Sequence, residues 1–153
     1  MLPSPETVAA IVAEIAAEEL LPRFRNLKAG EVRDKGPGDP VTVADEAAER
    51  ALTRRLADLL PGSLVVGEEA ASADPAVVAR LSGEGPVWII DPVDGTTNFA
   101  AGLPIFAVIV GLAQGGEMRL ACIHDPVHGE TALASAGDGA TLNGRRISVA
   151  APD

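Results

Sequence analysis

"WIIDPVDGTTNF", residues Trp88 to Phe99, is the stretch that decides how this chain folds. An apolar run, Trp88-Ile89-Ile90, breaks off into Asp91 and Asp94, two carboxylates three residues apart, and Gly95, Thr96, Thr97 and Asn98 follow. A short apolar run closed by Pro and Gly reads as a buried strand. Pro92 fixes the backbone after Asp91 and disfavours helix at Asp91 itself. The reading is therefore a strand, "PVWIIDP", and a turn that brings Asp94 beside Asp91. Val93 offers a backbone carbonyl, Gly95 permits a tight turn or close backbone approach, Thr96 and Thr97 offer hydroxyls, and Asn98 can cap. A helix opening at Gly95 or Thr96 would present free N–H groups to an anion.

The same pattern, apolar residues leading into an acid at the end of an element, occurs at Asp45 in "VTVAD" and at Glu68 in "VVGEE". Each has an ordinary reading alone: a D-x-x-D pair as a turn, Glu68-Glu69 as a solvated loop, Asp45 as a helix N-cap. Converging carboxylates repel one another and lose hydration, and a divalent cation offsets both costs. Hard oxygen donors suit Mg²⁺. Cations beside a helix start make a phosphate site.

Outward from this stretch, Ser4 to Leu21 read as an amphipathic helix capped by Ser4 or Thr7. Arg33 to Pro40, "RDKGPGDP", read as a loop. The chain then begins extended, turns helical around Asp45 and stops at Pro61-Gly62. "LVVGEEA" reads as a strand ending in Gly67-Glu68-Glu69, and Asp74 to Leu81 as a short helix. "IFAVIVGLAQGGEMRLACIHDP" reads as a hairpin joined at Gln114-Gly115-Gly116, and Asn143-Gly144 as a type I′ turn. Hairpin-linked strands are antiparallel, so the fold class is α+β, one domain over residues 1–153 with helices layered on a mostly antiparallel sheet. Phe99, Leu103, Ile105 and Phe106 are assigned to the core, and His124 and His128 to structural or surface roles, since imidazole seldom serves Mg²⁺.

Composition narrows the function. Acidic residues outnumber basic ones 22 to 12, a net charge of −10, which argues against a nucleic-acid backbone or an anionic membrane as partner. The single cysteine, Cys122, excludes an intrachain disulfide and reads as a buried small side chain. The acid-bearing N-terminal segment lacks the basic lead and apolar run of a signal peptide, and no stretch of about 18 apolar residues is present, so a cytoplasmic setting is expected.

These residues resemble the inositol monophosphatase family of Mg²⁺-dependent, lithium-sensitive sugar phosphatases. "WIIDPVDGTTNFAAGLPIFAVIVGL" is similar to the family's first signature, "DPVTVADEAAE" to the segment upstream, "VVGEEA" to its metal loop and "GDGATLNGRRISV" to the hairpin that follows. The resemblance implies that Glu68, Asp91, the Val93 carbonyl and the Thr96 hydroxyl hold one Mg²⁺, and that Asp91 bridges to a second bound also by Asp94. It implies that Asp45 and Thr96 activate the attacking water, and that Gly95, Thr96 and Thr97 bind the phosphate through N–H groups. Asp94 would also place the substrate's ring. Lys35 falls near the family's basic residue in the loop before Asp45, its spacing shifted by one. The implied activity is two-metal hydrolysis of a small phosphate monoester, with inositol-1-phosphate foremost. Nucleotide bisphosphate, histidinol phosphate and fructose bisphosphate are the family's other substrates, and a homodimer is its usual assembly. The family's second signature, a Trp-Asp stretch, is absent, since the only tryptophan is Trp88, followed by Ile89. The chain corresponds to the family's N-terminal half, to the end of "ISVAAPD". It is expected to expose a sheet face or edge, as a piece of a longer protein or as a short form that dimerises through that surface, and to be either active or a truncated or silent half-domain that binds metal or a partner.

Overall fold

A computed structural model describes residues 2–149; Met1 and 150–153, the end of "ISVAAPD", lie outside the described residues. Helix α1 (Pro5–Ile15) opens with Ser4, whose hydroxyl accepts the Thr7 N–H, and it continues into a π-helical turn, Ala16–Leu20. Strands β1 (Val32–Gly36) and β2 (Asp39–Thr42) form a separate antiparallel hairpin, so 33–40 is not the loop its Gly and Pro content suggests. β1 is largely exposed, β2 is buried only at Val41 and Thr42, and neither carries an apolar alternation, which hid the pairing from the sequence.

Helix α2 (Val43–Leu59) starts two residues before Asp45. Its N-cap is Thr42, and Asp45 sits at the third helical position, reaching back to the Thr42 N–H in a capping box. Strand β3 (Leu64–Gly67) runs directly into helix α3 (Glu68–Ala73), so Glu68 and Glu69 open a helix and do not extend the strand. A 3₁₀ segment (Pro75–Ser82) then leads to β4 (Pro86–Asp94), helix α4 (Thr96–Ala100), and the hairpin-linked β5 (Ala107–Gln114), β6 (Glu117–Asp125), β7 (Glu130–Ser135), β8 (Gly139–Leu142) and β9 (Arg145–Ile147). Asn143 and Gly144 both take positive φ, 47° and 76°, as the type I′ reading requires.

The main sheet runs β3-β4-β5-β6-β7-β8-β9, parallel at β3–β4 and antiparallel elsewhere. The fold is thus α+β, helices on a mostly antiparallel sheet. Strand alternation sorts its two faces. Trp88, Ile90, Val108, Val110, Leu112, Leu120 and Cys122 are buried in one core with Val8, Val12 and Ile15 of α1 and Leu52 and Leu56 of α2. Burying each large aliphatic side chain contributes about 1.5–3 kcal/mol, so this face anchors the sheet. The alternate residues, Ile89, Ile109, Ala121 and Ile123, point to the opposite face, which α1 and α2 do not cover and which Glu68 and Ala71 of α3 border at one side; Ile123 is 46% exposed. Phe99 and Phe106 are buried, each tilted against the Phe24 ring and edge-to-face with one another. Leu103 and Ile105 are not core: they flank Pro104 on the surface at 49% and 68% exposure, because that loop leaves the sheet before β5 begins.

Candidate active site

The strand that carries Asp91 does not stop there. β4 continues through Pro92 to Asp94 by way of a bulge: Asp91 lies opposite Ile109 and Asp94 opposite Ala107, so one extra residue is accommodated between them. Proline, which cannot donate to a ladder, is tolerated at such a bulge. Asp91 belongs to the open face of the sheet. Its Oδ1 is buried and has no hydrogen-bond partner among the described residues. Burial first, then the charge and hydrogen bonding of Glu68 and the charge of Asp94, push the Asp91 carboxyl up to about 7, against the Val93 N–H.

Gly95 follows at φ +95°, a conformation costly for other residues. A Cβ there would lie 2.9 Å from the Ile105 carbonyl oxygen and 3.3 Å from Phe106 Cα, so space and torsion both demand glycine. Gly95 is the N-cap of α4, and its carbonyl accepts the Phe99 N–H. In a helix this short the first N–H groups, including those of Thr96 and Thr97, have no partner within it. Asn98 does not cap this start; its amide donates to the Ile105 carbonyl at 2.8 Å and ties the following loop to α4.

Asp45, fully buried, meets this turn from α2. Its Oδ2 accepts the Thr42 N–H at 2.9 Å and the Thr42 hydroxyl at 2.5 Å, and its Oδ1 lies 2.9 Å from the Thr96 hydroxyl. That hydroxyl also lies 2.9 Å from the Val93 carbonyl oxygen. It has one proton for two acceptors, so a cation drawn to the Val93 oxygen would leave the proton to Asp45. Burial raises the Asp45 carboxyl, while the hydrogen bonds from Thr42 and Thr96 hold it down.

Lys35, from the β1–β2 hairpin, places its Nζ 2.9 Å from Glu68 Oε1 and 3.0 Å from Glu69 Oε1. Burial works against its charge, but the hydrogen bonds and charges of the two glutamates prevail and hold the ammonium above its ordinary value. Burial also raises Glu69, with Lys35 opposing. Two residues here escaped the sequence reading. Thr42, the cap, was hidden by the stronger acidic signal three residues on. Glu49 follows Asp45 by four positions, a spacing that places both on one helix face, yet nothing local announces that it is buried.

A divalent cation fits these residues. A buried carboxylate oxygen lacks a partner, a lysine ammonium already stands against Glu68, and all the neighbouring donors are hard oxygens. Among the described residues no three His, Cys, Asp or Glu side chains are gathered tightly enough to form a ready metal cage. The site faces two depressions. One, about 350 Å³, runs along the open face past Ile89, Ile109 and Met118 to Glu68 and Asp91. The other, about 480 Å³, lies between Asp94, Gly95, Pro104 and His128. His128 pairs with Asp125 at 2.7 Å, and His124 is buried against Thr131.

Fold and site together define an α+β chain with carboxylates, a hydroxyl and a left-handed glycine turn gathered at one end of a sheet. The chain belongs to the inositol monophosphatase family, whose sequence profile covers residues 4–153. It is 38% identical over 144 residues to the Nus factor SuhB of Pseudomonas aeruginosa, covering 93% of this chain and 51% of that protein. It is 41% identical over 118 residues to the inositol-1-monophosphatase of Mycobacterium bovis, covering 76% and 40%. Among solved structures it resembles an IMPase of Thermotoga maritima, with a TM-score of 0.80 at 30% identity over 95% of this chain and 53% of that one. The chain spans about half the length of these relatives. Among the described residues no helix is long and apolar enough to cross a membrane.

Proposed function

We propose that this chain carries the catalytic and cation-binding face of a Mg²⁺-dependent phosphomonoesterase acting on a small phosphate monoester, inositol-1-phosphate first among them. The observation that carries the reading is the hydrogen-bonded line from Asp45 through the Thr96 hydroxyl to the Val93 carbonyl, set beside the unpartnered Asp91 oxygen. Glu68, Asp91, the Val93 carbonyl and the Thr96 hydroxyl would hold one Mg²⁺, and Asp91 with Asp94 a second. When bound, Mg²⁺ supplies Lewis-acid activation of water and neutralises charge on the leaving oxygen.

The chain's own residues do the rest. Asp45, fully buried, accepts a proton through the Thr96 hydroxyl, and burial raises its carboxyl above the ordinary value. The N–H groups of Gly95, Thr96 and Thr97 face the phosphoryl oxygens, where charge spreads during transfer. Asp94, exposed at the edge of the 480 Å³ depression, is placed to meet the alcohol part of the substrate. The names of the relatives support the substrate class: inositol-1-monophosphatase in Mycobacterium bovis, and fructose-1,6-bisphosphatase/inositol-1-monophosphatase in Aquifex aeolicus. A cytoplasmic homodimer goes with this reading.

A second reading rests on length and on the open apolar face. A chain half the length of its relatives, with Met118 and Ile123 exposed and Ile89 and Ile109 part-buried beside the site, fits a half-domain whose face receives a polypeptide equivalent to the relatives' other half. Turnover of the purified chain decides between them. A panel of inositol-1-phosphate, fructose-1,6-bisphosphate, histidinol phosphate and 3′,5′-bisphosphate nucleotide, assayed with Mg²⁺, should show hydrolysis that Asp91→Asn lowers by at least about 100-fold. Mg²⁺ binding without turnover favours the half-domain, and undiminished turnover in EDTA overturns the metal mechanism.

A further inference from the structure

Glu49 lies in the middle of α2 and is only 7% exposed, and among the described residues no basic side chain is hydrogen-bonded to it. A buried carboxylate is costly unless its oxygens are satisfied. Here both are, by main chain: Oε2 accepts the Glu69 N–H at 2.7 Å and Oε1 the Ala70 N–H at 2.9 Å. These N–H groups belong to the second and third residues of α3, whose own N-cap, Gly67, has no side chain to satisfy them. The cap therefore comes from another helix.

Gly67 belongs to the same device. Its φ of −97° is open to any residue, so torsion does not require glycine here. Space does: a Cβ on Gly67 would lie 2.3 Å from Glu49 Cδ and 2.5 and 2.6 Å from its two oxygens. The carboxylate occupies the place where a side chain would be. Glu68 sits between these two fixed points, with Gly67 packed beneath the carboxylate and Glu69 bonded to it. The bend from β3 into α3, and with it the origin of the Glu68 side chain, is thus clamped from α2, the helix that also carries Asp45. An apolar residue at position 49 would fill the space at lower electrostatic cost but would leave both N–H groups unpartnered.

We propose that Glu49 is the positioning residue for Glu68, registering that carboxylate against Asp91, and that Gly67 is its obligatory partner. This rests on the reading of Glu68 as a cation ligand. Residues that orient a ligand from behind typically change metal affinity by about 10–100-fold when altered.

The test titrates Mn²⁺ into the purified chain, with bound metal counted by electron paramagnetic resonance, for the parent, Glu49→Gln, Gly67→Ala and Glu68→Gln. Thermal unfolding and amide proton shifts of Glu69 and Ala70 are recorded without metal. The expected result is that Glu49→Gln unfolds cooperatively, its Glu69 and Ala70 amide protons shift upfield, and its Mn²⁺ affinity falls about 10–100-fold. Gly67→Ala, which displaces the same carboxylate, gives a similar loss, and the double variant loses little more than either single one. If Glu49→Gln fails to fold, Gly67→Ala carries the comparison. Parent affinity in the folded variants, with Glu68→Gln impaired, overturns the positioning role alone. A parent that binds no Mn²⁺, or binds it equally well after Glu68→Gln, overturns the ligand reading and this inference with it.

Discussion

At the scale of single residues, two positions show how environment sets behaviour that identity alone does not. Gly95 must be glycine twice over, for its φ of +95° and for the Ile105 oxygen 2.9 Å from any Cβ. Gly62 also has positive φ, +86°, but nothing within 4 Å of a Cβ. Gly95→Ala should therefore destabilise by about 1–3 kcal/mol and Gly62→Ala by about 1 kcal/mol or less, as read from chemical unfolding. His124 is buried, with Nδ1 2.9 Å from the Thr131 hydroxyl. Burial lowers its pKa below 6.5, although the Asp125 charge and the Glu130 backbone oppose the shift. The unfolded chain then takes up this proton at higher pH than the folded one. Stability is consequently present above about 6.5 and declines as pH falls below it. His124→Gln should flatten that part of the acid slope in unfolding curves measured from pH 7.5 to 5.

Secondary elements carry the next level of control. The Thr42–Asp45 capping box does two things at once: it starts α2 and holds the carboxylate that meets Thr96. Thr42→Ala removes a cap for the Ala44 N–H and a donor to Asp45, and should cost about 1 kcal/mol in urea unfolding, while Thr42→Ser should stay near the parent. The bulge in β4 is the corresponding device in the sheet, since it admits Pro92 and places Asp91 and Asp94 within reach of one another. Strand, turn and helix start in "WIIDPVDGTTNF" were legible because apolar run, Pro and Gly each carry a local conformational preference. The bulge was not, because it depends on the register imposed by β5. The β1–β2 hairpin was likewise hidden: its pairing is made by backbone groups, with Gly and Pro at the turn, and only the fold reveals that it delivers Lys35 to Glu68 and Glu69.

Over the whole molecule, the sheet's two faces differ in what they ask of the surroundings. One is sealed by α1 and α2; the other leaves Met118 and Ile123 about half exposed beside the carboxylates. The chain alone should associate as concentration rises, and a Met118→Lys, Ile123→Lys pair should reduce that association in sedimentation velocity. Under the metal reading, Mg²⁺ at about 100 times its dissociation constant should add about 2.7 kcal/mol to stability, and Asp91→Asn should remove most of the gain in thermal unfolding.

The sequence by itself determined the order of the main helices and of the strands of the large sheet, the antiparallel hairpins of that sheet and the glycine turn, and it singled out Asp45, Glu68, Asp91 and Asp94, although only Asp94 closes its element. These follow from local torsional preference and from the alternation of apolar residues along each strand. Only the tertiary structure decided that Asp45 shares the Thr96 hydroxyl with the Val93 carbonyl, and that Lys35 bridges Glu68 and Glu69. It alone decided that Glu49 reaches across to cap α3 and that Leu103 and Ile105 face solvent. The reason is distance along the chain: Thr96 and Asp45 are 51 residues apart, and Lys35 and Glu68 are 33 apart. Contacts of that separation arise from packing one layer on another, which no local preference encodes.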